Sequence, residues 1–246
     1  MENRVVAFCG GMAAGKDTYG ELYKEYLESQ GKVALTHSFG KPVKDEINAF
    51  LDDYRKNLTL HQLMENHNLS KEDCLKALDI IKKDVRERFD IKATDRTPAM
   101  RKLLQFWGTG VRRKQKDSYW VDKMESFIES ELEKGHYIII TDARFNNEFE
   151  MIKRLGGTLV RLLATEDCRI QRIFDRDGIQ VPRESLNHPS ETGVLHYNGF
   201  TIVVDTEKGK INEVFEEILS KLKELERQFK NEYIIWFKGA WQWYKT

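Results

Sequence analysis

The 246-residue sequence predicts a three-layer α/β fold, a mostly parallel sheet with helices on both faces. Three observations carry that expectation. Val5–Cys9 is a short apolar run that ends in Gly10-Gly11, as a buried parallel strand ends in a loop. Residues 137–140 form a second apolar run that stops at Thr141-Asp142. Between and after these runs, strand-like segments alternate with segments of helical period.

In chain order, a helix is expected after the first glycine loop. Tyr19, Leu22, Tyr23, Tyr26 and Leu27 fall at i, i+3, i+4, i+7 and i+8, and Gly31 supplies a left-handed stop. Lys32 to Phe39 reads as the second strand. From Pro42 to about Tyr119 the pattern is helical and highly charged, including Leu75–Phe89, with no strand signal. Such a block between strands of one sheet is an inserted helical subdomain. The strand at 137–141 follows, then a helix over Glu148–Leu155, a strand over Thr158–Leu163 and a last strand over Phe200–Val204. Ile211, Val214, Phe215, Ile218, Leu219, Leu222 and Leu225 mark a final amphipathic helix. With four prolines and no low-complexity stretch, the chain reads as one domain over 1–246.

Composition narrows the function classes. Lys+Arg and Asp+Glu both number 40, so the formal charge is zero, which argues against nucleic acid or an anionic membrane as the main partner. Cys9, Cys74 and Cys168 lie far apart, without a CxxC pair or a neighbouring histidine. Neither a disulfide framework nor a zinc cluster is expected, and a reducing compartment fits. The first residues lack the apolar core of a signal peptide, and no apolar run reaches the roughly 20 residues that span a bilayer. The expected location is the cytoplasm.

The sharpest local signal is Gly10-Gly11-Met12-Ala13-Ala14-Gly15-Lys16-Asp17-Thr18, a GxxxxGK pattern set between an apolar strand and an amphipathic helix. Glycines allow a tight turn that aims several N–H groups at one point, and the helix N-terminus adds partial positive charge. Residues 11–18 are thus expected to cradle nucleotide phosphates, with Lys16 reaching the β- and γ-phosphates. A Ser or Thr normally follows that lysine as a Mg²⁺ ligand, and here the residue is Asp17. Either Asp17 holds the metal through water, or Thr18 or Asp142 takes part of that work. Asp142 ends a buried strand, where ligands of open α/β sheets bind, and Arg144 is two residues on. The plainer alternative has Asp142 capping the next helix and Arg144 pairing with Glu148.

A second candidate is the segment Thr97–Gly110, which opens with a cap residue and a proline at N1. Met100, Leu103, Leu104 and Trp107 share one face, while Arg101 and Gln105 share the opposite one. An arginine fork suits a phosphate, and an amide one turn later suits a base edge. By itself the segment is also an ordinary amphipathic helix.

Taken together, these motifs resemble the deoxynucleoside monophosphate kinases of large tailed bacteriophages, within the wider P-loop NTPase fold of small-molecule kinases. The resemblance rests on Gly15-Lys16-Asp17-Thr18, Phe39-Gly-Lys-Pro-Val-Lys44, Arg101-x-x-x-Gln105-x-x-Gly108-Thr109 and Tyr119-Trp120-Val121. Asp142-x-Arg144-x-x-x-Glu148 and His188-x-Ser190-Glu191 complete it. It runs from about residue 5 to 225 and covers 50–95 and the residues after about 228 poorly. It implies ATP–Mg²⁺ as donor, a deoxynucleoside 5′-monophosphate as acceptor, a helical acceptor-binding insertion at about 42–120 and a lid at about 166–197. It implies a homodimer too, and the host cytosol as location for a phage-encoded chain. Lys16, Asp142, Arg144, Arg172 and Arg176 become the expected catalytic set, and Asp17 and Asp142 the Mg²⁺ holders. Arg101, Gln105, Phe39, Lys44, Trp107, Trp120 and Glu148 become the expected acceptor set, with Phe39, Trp107 or Trp120 stacking on the base.

Within the lid, Arg169, Arg172 and Arg176 recur at helical spacing, suited to converging negative charge or, more plainly, to a solvated face. His188–Glu191 closes that segment in the expected arrangement. Arg112–Lys116 reads as a solvated charge run, and the histidines outside this segment form no ligand pattern. The stretch Tyr233–Tyr244 holds three of the five tryptophans and is expected to pack on the domain or at a subunit contact, at about 229–246. Two rival readings differ in substrate: a kinase of another small phosphorylated metabolite, and a nucleotide-binding switch with no acceptor.

Overall fold

A computed structural model describes residues 3–87, 90–95, 97–178, 183 and 189–243, with side chains left out at 83, 85–87, 189–192 and 229–243. Five strands form one parallel sheet in the order β2-β3-β1-β4-β5: β1 Val5–Cys9, β2 Ala34–His37, β3 Tyr137–Ile140, β4 Thr158–Leu163 and β5 Ile202–Asp205. β1 lies in the centre, with Ala7 opposite Ile140 on one side and Leu159 on the other. The middle strands β1 and β3 are apolar at every position because both of their faces are covered.

The period of two sorts each strand between the faces. Val6, Phe8, Ile139, Val160 and Leu162 join one core with Tyr19, Tyr23 and Leu27 of α1 (Lys16–Ser29) and Val214, Ile218, Leu219 and Leu222 of α10 (Ile211–Trp243). On the other side α7 (Asn146–Arg154) packs on β4 and contributes Phe149, Met151 and Ile152, all fully buried. α1 ends as its sequence predicts. Gly31 has φ 72, and the N–H groups of Gly31 and Lys32 close on the carbonyls of Glu28 and Leu27.

The chain divides into two units, Met1–His37 with Phe127–Thr246, and Ser38–Ser126. The first holds the sheet, together with α8 (Glu166–Asp177) and α9 (Pro189–His196). The second is all helical: α2 Gly40–Arg55, α3 Leu60–His67, α4 Lys71–Glu87, α5 Pro98–Gln105, a π-helix π1 Phe106–Arg113 and the start of α6 Tyr119–Glu133. Its core gathers Ile47, Phe50, Leu63, Ile81, Met100, Leu103 and Trp107, each at most 2% exposed. Two strand limits move. β2 stops at His37 because Phe39 already has helical angles at the head of α2, and β5 spans Ile202–Asp205, two residues later than expected at its start.

Candidate functional site

The loop between β1 and α1 is built by two residues at positive φ, Ala13 at 60° and Gly15 at 98°. At Gly15 the angle is one that side chains rarely adopt, and it turns the chain straight into the first turn of α1 at Lys16. The N-terminus of α1 thereby turns the N–H groups of its first turn towards the loop. Lys16 Nζ donates to the Gly11 carbonyl at 2.7 Å, so the ammonium already lies along the loop.

A cavity of about 460 Å³ opens beside this loop, lined by Ala13, Lys16, Asp17, Thr18, Arg172 and Arg176 among others. That volume lies in the range of small-molecule and cofactor sites. Thr206, Gly209 and Ile211 form its far wall. Asp17 and Thr18 are exposed and both open to it.

The three arginines of α8 differ in what they do. Arg172 is a clamp, with Nη1 donating to the Ala13 carbonyl at 3.3 Å and to Thr206 Oγ1 at 3.0 Å, and Nη2 donating to the Thr206 carbonyl at 2.8 Å. Thr206 in turn donates to the Leu163 carbonyl at 3.0 Å, so the loop, α8 and the end of β5 are joined through one side chain. Arg176 is half-exposed at the cavity and forms a two-pronged pair with Asp177 at 2.9 and 2.6 Å. The Arg169 guanidinium fills the place a Cβ on Gly11 would take, and its Nε is buried with no hydrogen-bond partner among the described residues. The helical spacing of the lid arginines points to Arg169, and the fold shows that it lies against the loop.

Asp142 follows β3 by two residues, and β3 is the neighbour of β1, so this acid stands at the same sheet edge as the loop. The thiol of Cys9, at the end of β1, registers the charges there. Burial pushes it up, the Lys16 ammonium pulls it down, and the carboxylates of Glu148 and Asp142 push it up further. The cap of α7 is Phe145, so Asp142 does not serve as its cap. Glu148 braces the backbone at this edge. It is 2% exposed, and its Oε2 accepts from the backbone N–H of Arg144 at 2.7 Å and of Phe145 at 3.1 Å, fixing the chain that carries Arg144. Gly193 of α9 meets the Arg144 carbonyl so closely that no Cβ fits there.

In the helical unit, α5 starts as expected. Thr97 caps it, accepting from Met100 N at 3.1 Å, and its hydroxyl donates to Asp84. Met100 and Leu103 are buried, while Arg101 and Gln105 are exposed on one face, four residues apart. Lys44 is half-buried. The three rings expected to stack on a base are core residues instead. Trp107 is fully buried with its indole N–H on Glu46 at 2.9 Å, Trp120 donates to the Gly108 carbonyl at 2.9 Å, and Phe39 is 5% exposed. Arg112 is a further correction: it is 4% exposed and ion-paired with Glu46 at 2.7 Å, so the charge run 112–116 is not uniformly solvated.

Among the described residues no group of three or more His, Cys, Asp or Glu could hold a metal by itself. The hard oxygens of Asp17, Thr18 and Asp142 suit a Mg²⁺ that takes its remaining ligands from phosphates and water. No helix among the described residues is long and apolar enough to cross a membrane. His188 lies outside the described residues, as do the side chains of Glu191 and of the aromatic stretch 233–244.

A glycine loop on a helix N-terminus, a lysine on the loop, an acid at the adjacent strand end and arginines over the cavity define a phosphate-loop kinase. The chain matches the deoxynucleotide monophosphate kinase family over residues 59–183 and belongs to that family. It is an ATP-dependent nucleotide kinase. The match includes most of the insertion that the sequence resemblance covered poorly, and it stops short of the phosphate loop, which the geometry identifies independently.

No curated protein matches the sequence significantly. Similar solved structures include a gluconokinase from Sinorhizobium meliloti 1021 (13% identity, TM-score 0.49, 94% of this chain and 99% of that one). Another is deoxyadenosine kinase from M. mycoides with dCMP and dCDP bound (16% identity, TM-score 0.40, 89% and 99%). A third is shikimate kinase from Acinetobacter baumannii (14% identity, TM-score 0.38, 90% and 94%).

Proposed function

We propose that the protein transfers the γ-phosphoryl group of ATP–Mg²⁺ to a deoxynucleoside 5′-monophosphate, yielding the diphosphate and ADP. The observation that carries this reading is the family match across the helical unit and α8, joined to a loop and cavity fit for a triphosphate. The backbone of 11–18 and Lys16 hold the donor phosphates. Asp17, Thr18 and Asp142 would hold Mg²⁺, which would supply charge neutralisation to the donor phosphates.

Arg144 and the α8 arginines offset charge on the moving group. Arg176 lines the cavity beside its partner Asp177, Arg169 covers the loop, and Arg172 keeps loop and helix in register. Residues 166–197 serve as the lid. Arg101 grips the acceptor phosphate and Gln105 reads the base edge. The acceptor phosphate is already ionised at neutral pH, so transfer needs no general base and no histidine.

The test is a coupled ADP-release assay with ATP–Mg²⁺ and each common deoxynucleoside and ribonucleoside monophosphate. Turnover that depends on a deoxynucleotide, with little ADP release without it, is the expected result. Silence with every nucleotide in a protein that binds ATP would overturn the proposal, and turnover with a non-nucleotide phosphate would move the acceptor to another metabolite.

A further inference from the structure

A half-buried carboxylate at Glu46 of α2 meets four donors, two on each oxygen. Oε2 accepts from Trp107 Nε1 at 2.9 Å and Arg112 Nε at 2.7 Å, and Oε1 accepts from the Tyr119 hydroxyl at 2.6 Å and Lys123 Nζ at 2.7 Å. The acceptor capacity of a carboxylate is thereby filled. Two of the donors belong to π1 and two to α6, so one side chain of α2 fixes both elements.

Arg112 extends the network to the end of α3, with Nη2 donating to the His67 carbonyl at 2.7 Å and Nη1 to the Asn68 carbonyl at 3.2 Å. These carbonyls end a helix that closes at Asn68 with φ 45, where orphan acceptors need donors. The Arg112 guanidinium also stands 5.4 Å from the ring centres of both Trp107 and Tyr119. Burial alone would raise the Glu46 carboxyl, but hydrogen bonds from Lys123, Trp107, Tyr119 and Arg112 outweigh it and bring it down to about 2. Glu46 is therefore an anion throughout the neutral range.

The place of this network in the chain gives it a consequence. π1 follows α5 without a break, since Gln105 ends one and Phe106 begins the other. π-helical turns are rare and need external support. Trp107 and Arg112 supply it by anchoring π1 at both ends to one carboxylate. That anchoring adds to the packing of Met100 and Leu103 in holding the rotation of α5, and with it the face that carries the exposed Arg101 and Gln105.

We propose that Glu46 is a positioning residue for the acceptor monophosphate, acting through π1 on the Arg101–Gln105 face of α5. This rests on the reading of α5 as the acceptor helix, and the experiment separates the two. Steady-state kinetics with varied deoxynucleoside monophosphate and equilibrium binding of ATP are measured for Glu46→Gln, Arg101→Ala and the double variant. Glu46→Gln keeps size and one carbonyl acceptor while losing the charge.

The expected result is an acceptor KM raised about tenfold or more, since displacement of a positioned group by about 1 Å can cost up to about a hundredfold. ATP affinity should stay within about twofold, and the double variant should be no worse than Arg101→Ala alone, as for residues acting in series. A merely structural carboxylate would lower kcat with the folded fraction and leave the acceptor KM unchanged, or would weaken both substrates alike; either result overturns the proposal. If Arg101→Ala alters neither kcat nor acceptor KM, the acceptor-helix reading falls and this proposal with it.

Should Glu46→Gln fail to fold, Lys123→Met takes its place, because Lys123 is 45% exposed and leaves the other three donors in place. A rise of about two- to fivefold in acceptor KM at unchanged ATP affinity is expected there, about the effect of losing one hydrogen bond. An unchanged KM in a folded Lys123→Met protein overturns the proposal.

Discussion

Lys16 donates to the Gly11 carbonyl and stands where the donor phosphates are expected. Lys16→Ala should therefore lower kcat by about two to three orders of magnitude, the cost of losing one preorganised charge on a transition state. The melting temperature should stay close to wild type, because the loop is held independently by Arg172 on the Ala13 carbonyl. Turnover assays with a parallel thermal melt check both halves. Glu46 gives a residue-scale prediction with a sign. Its folded carboxyl is held at about 2 against an ordinary value of 4.5, so its stabilising effect is full above pH 4.5 and fades as pH falls towards 2. The stability gap between wild type and Glu46→Gln should be widest near neutrality and should close across that window. Paired denaturant titrations at pH 7, 4 and 3 measure it, and a gap that stays constant would show that the charge of Glu46 is not what stabilises the unit.

At the scale of elements, α1 approaches β3 so closely at Gly20 that a Cβ there would stand 2.6 Å from Thr141 Cγ2. Gly20→Ala should cost about 1–3 kcal/mol by overpacking. Adding Thr141→Ser removes the obstructing methyl and should recover part of that loss; a double variant no more stable than Gly20→Ala would locate the strain elsewhere. The start of α5 makes a simpler case, where Thr97→Ala removes a cap and should cost about 1 kcal/mol in a thermal or denaturant melt. Features of this kind were legible in the sequence, because a Thr-Pro start, a glycine stop and a stripe of Tyr19, Tyr23 and Leu27 express local rules that tertiary structure leaves intact. π1 was not legible. Its residues carry the apolar spacing of an ordinary helix, and the bonds from Trp107 and Arg112 to Glu46 that accompany the wider winding join residues more than 60 apart in sequence. The same limit explains the misread rings. Trp107 and Trp120 are equally plausible against a base or in a core until the partners of their indole N–H groups are known.

For the whole molecule, the parallel sheet and the loop were within reach of sequence reasoning, though not the order of the strands, because a parallel sheet concentrates its ligand site at one edge, and Gly15, Lys16 and Asp142 announce that edge. The division into a sheet unit and a helical unit suggests a separation of labour that can be measured. If donor and acceptor are held as proposed, each substrate alone should order a different part of the chain. Binding slows amide exchange by withdrawing molecules from open states, by about 2.7 kcal/mol at a ligand concentration a hundred times Kd where opening and binding exclude each other. ATP–Mg²⁺ alone should protect amides of residues 10–19 and of α8, and should leave α5 and π1 unchanged. A deoxynucleoside monophosphate alone should protect residues 97–113, and Arg101→Ala should abolish that protection without touching the ATP effect. Hydrogen exchange read by mass spectrometry resolves these segments. Protection by the monophosphate confined to the sheet unit would remove α5 from the acceptor site, whereas the divided pattern would show that the helical insertion holds the second substrate.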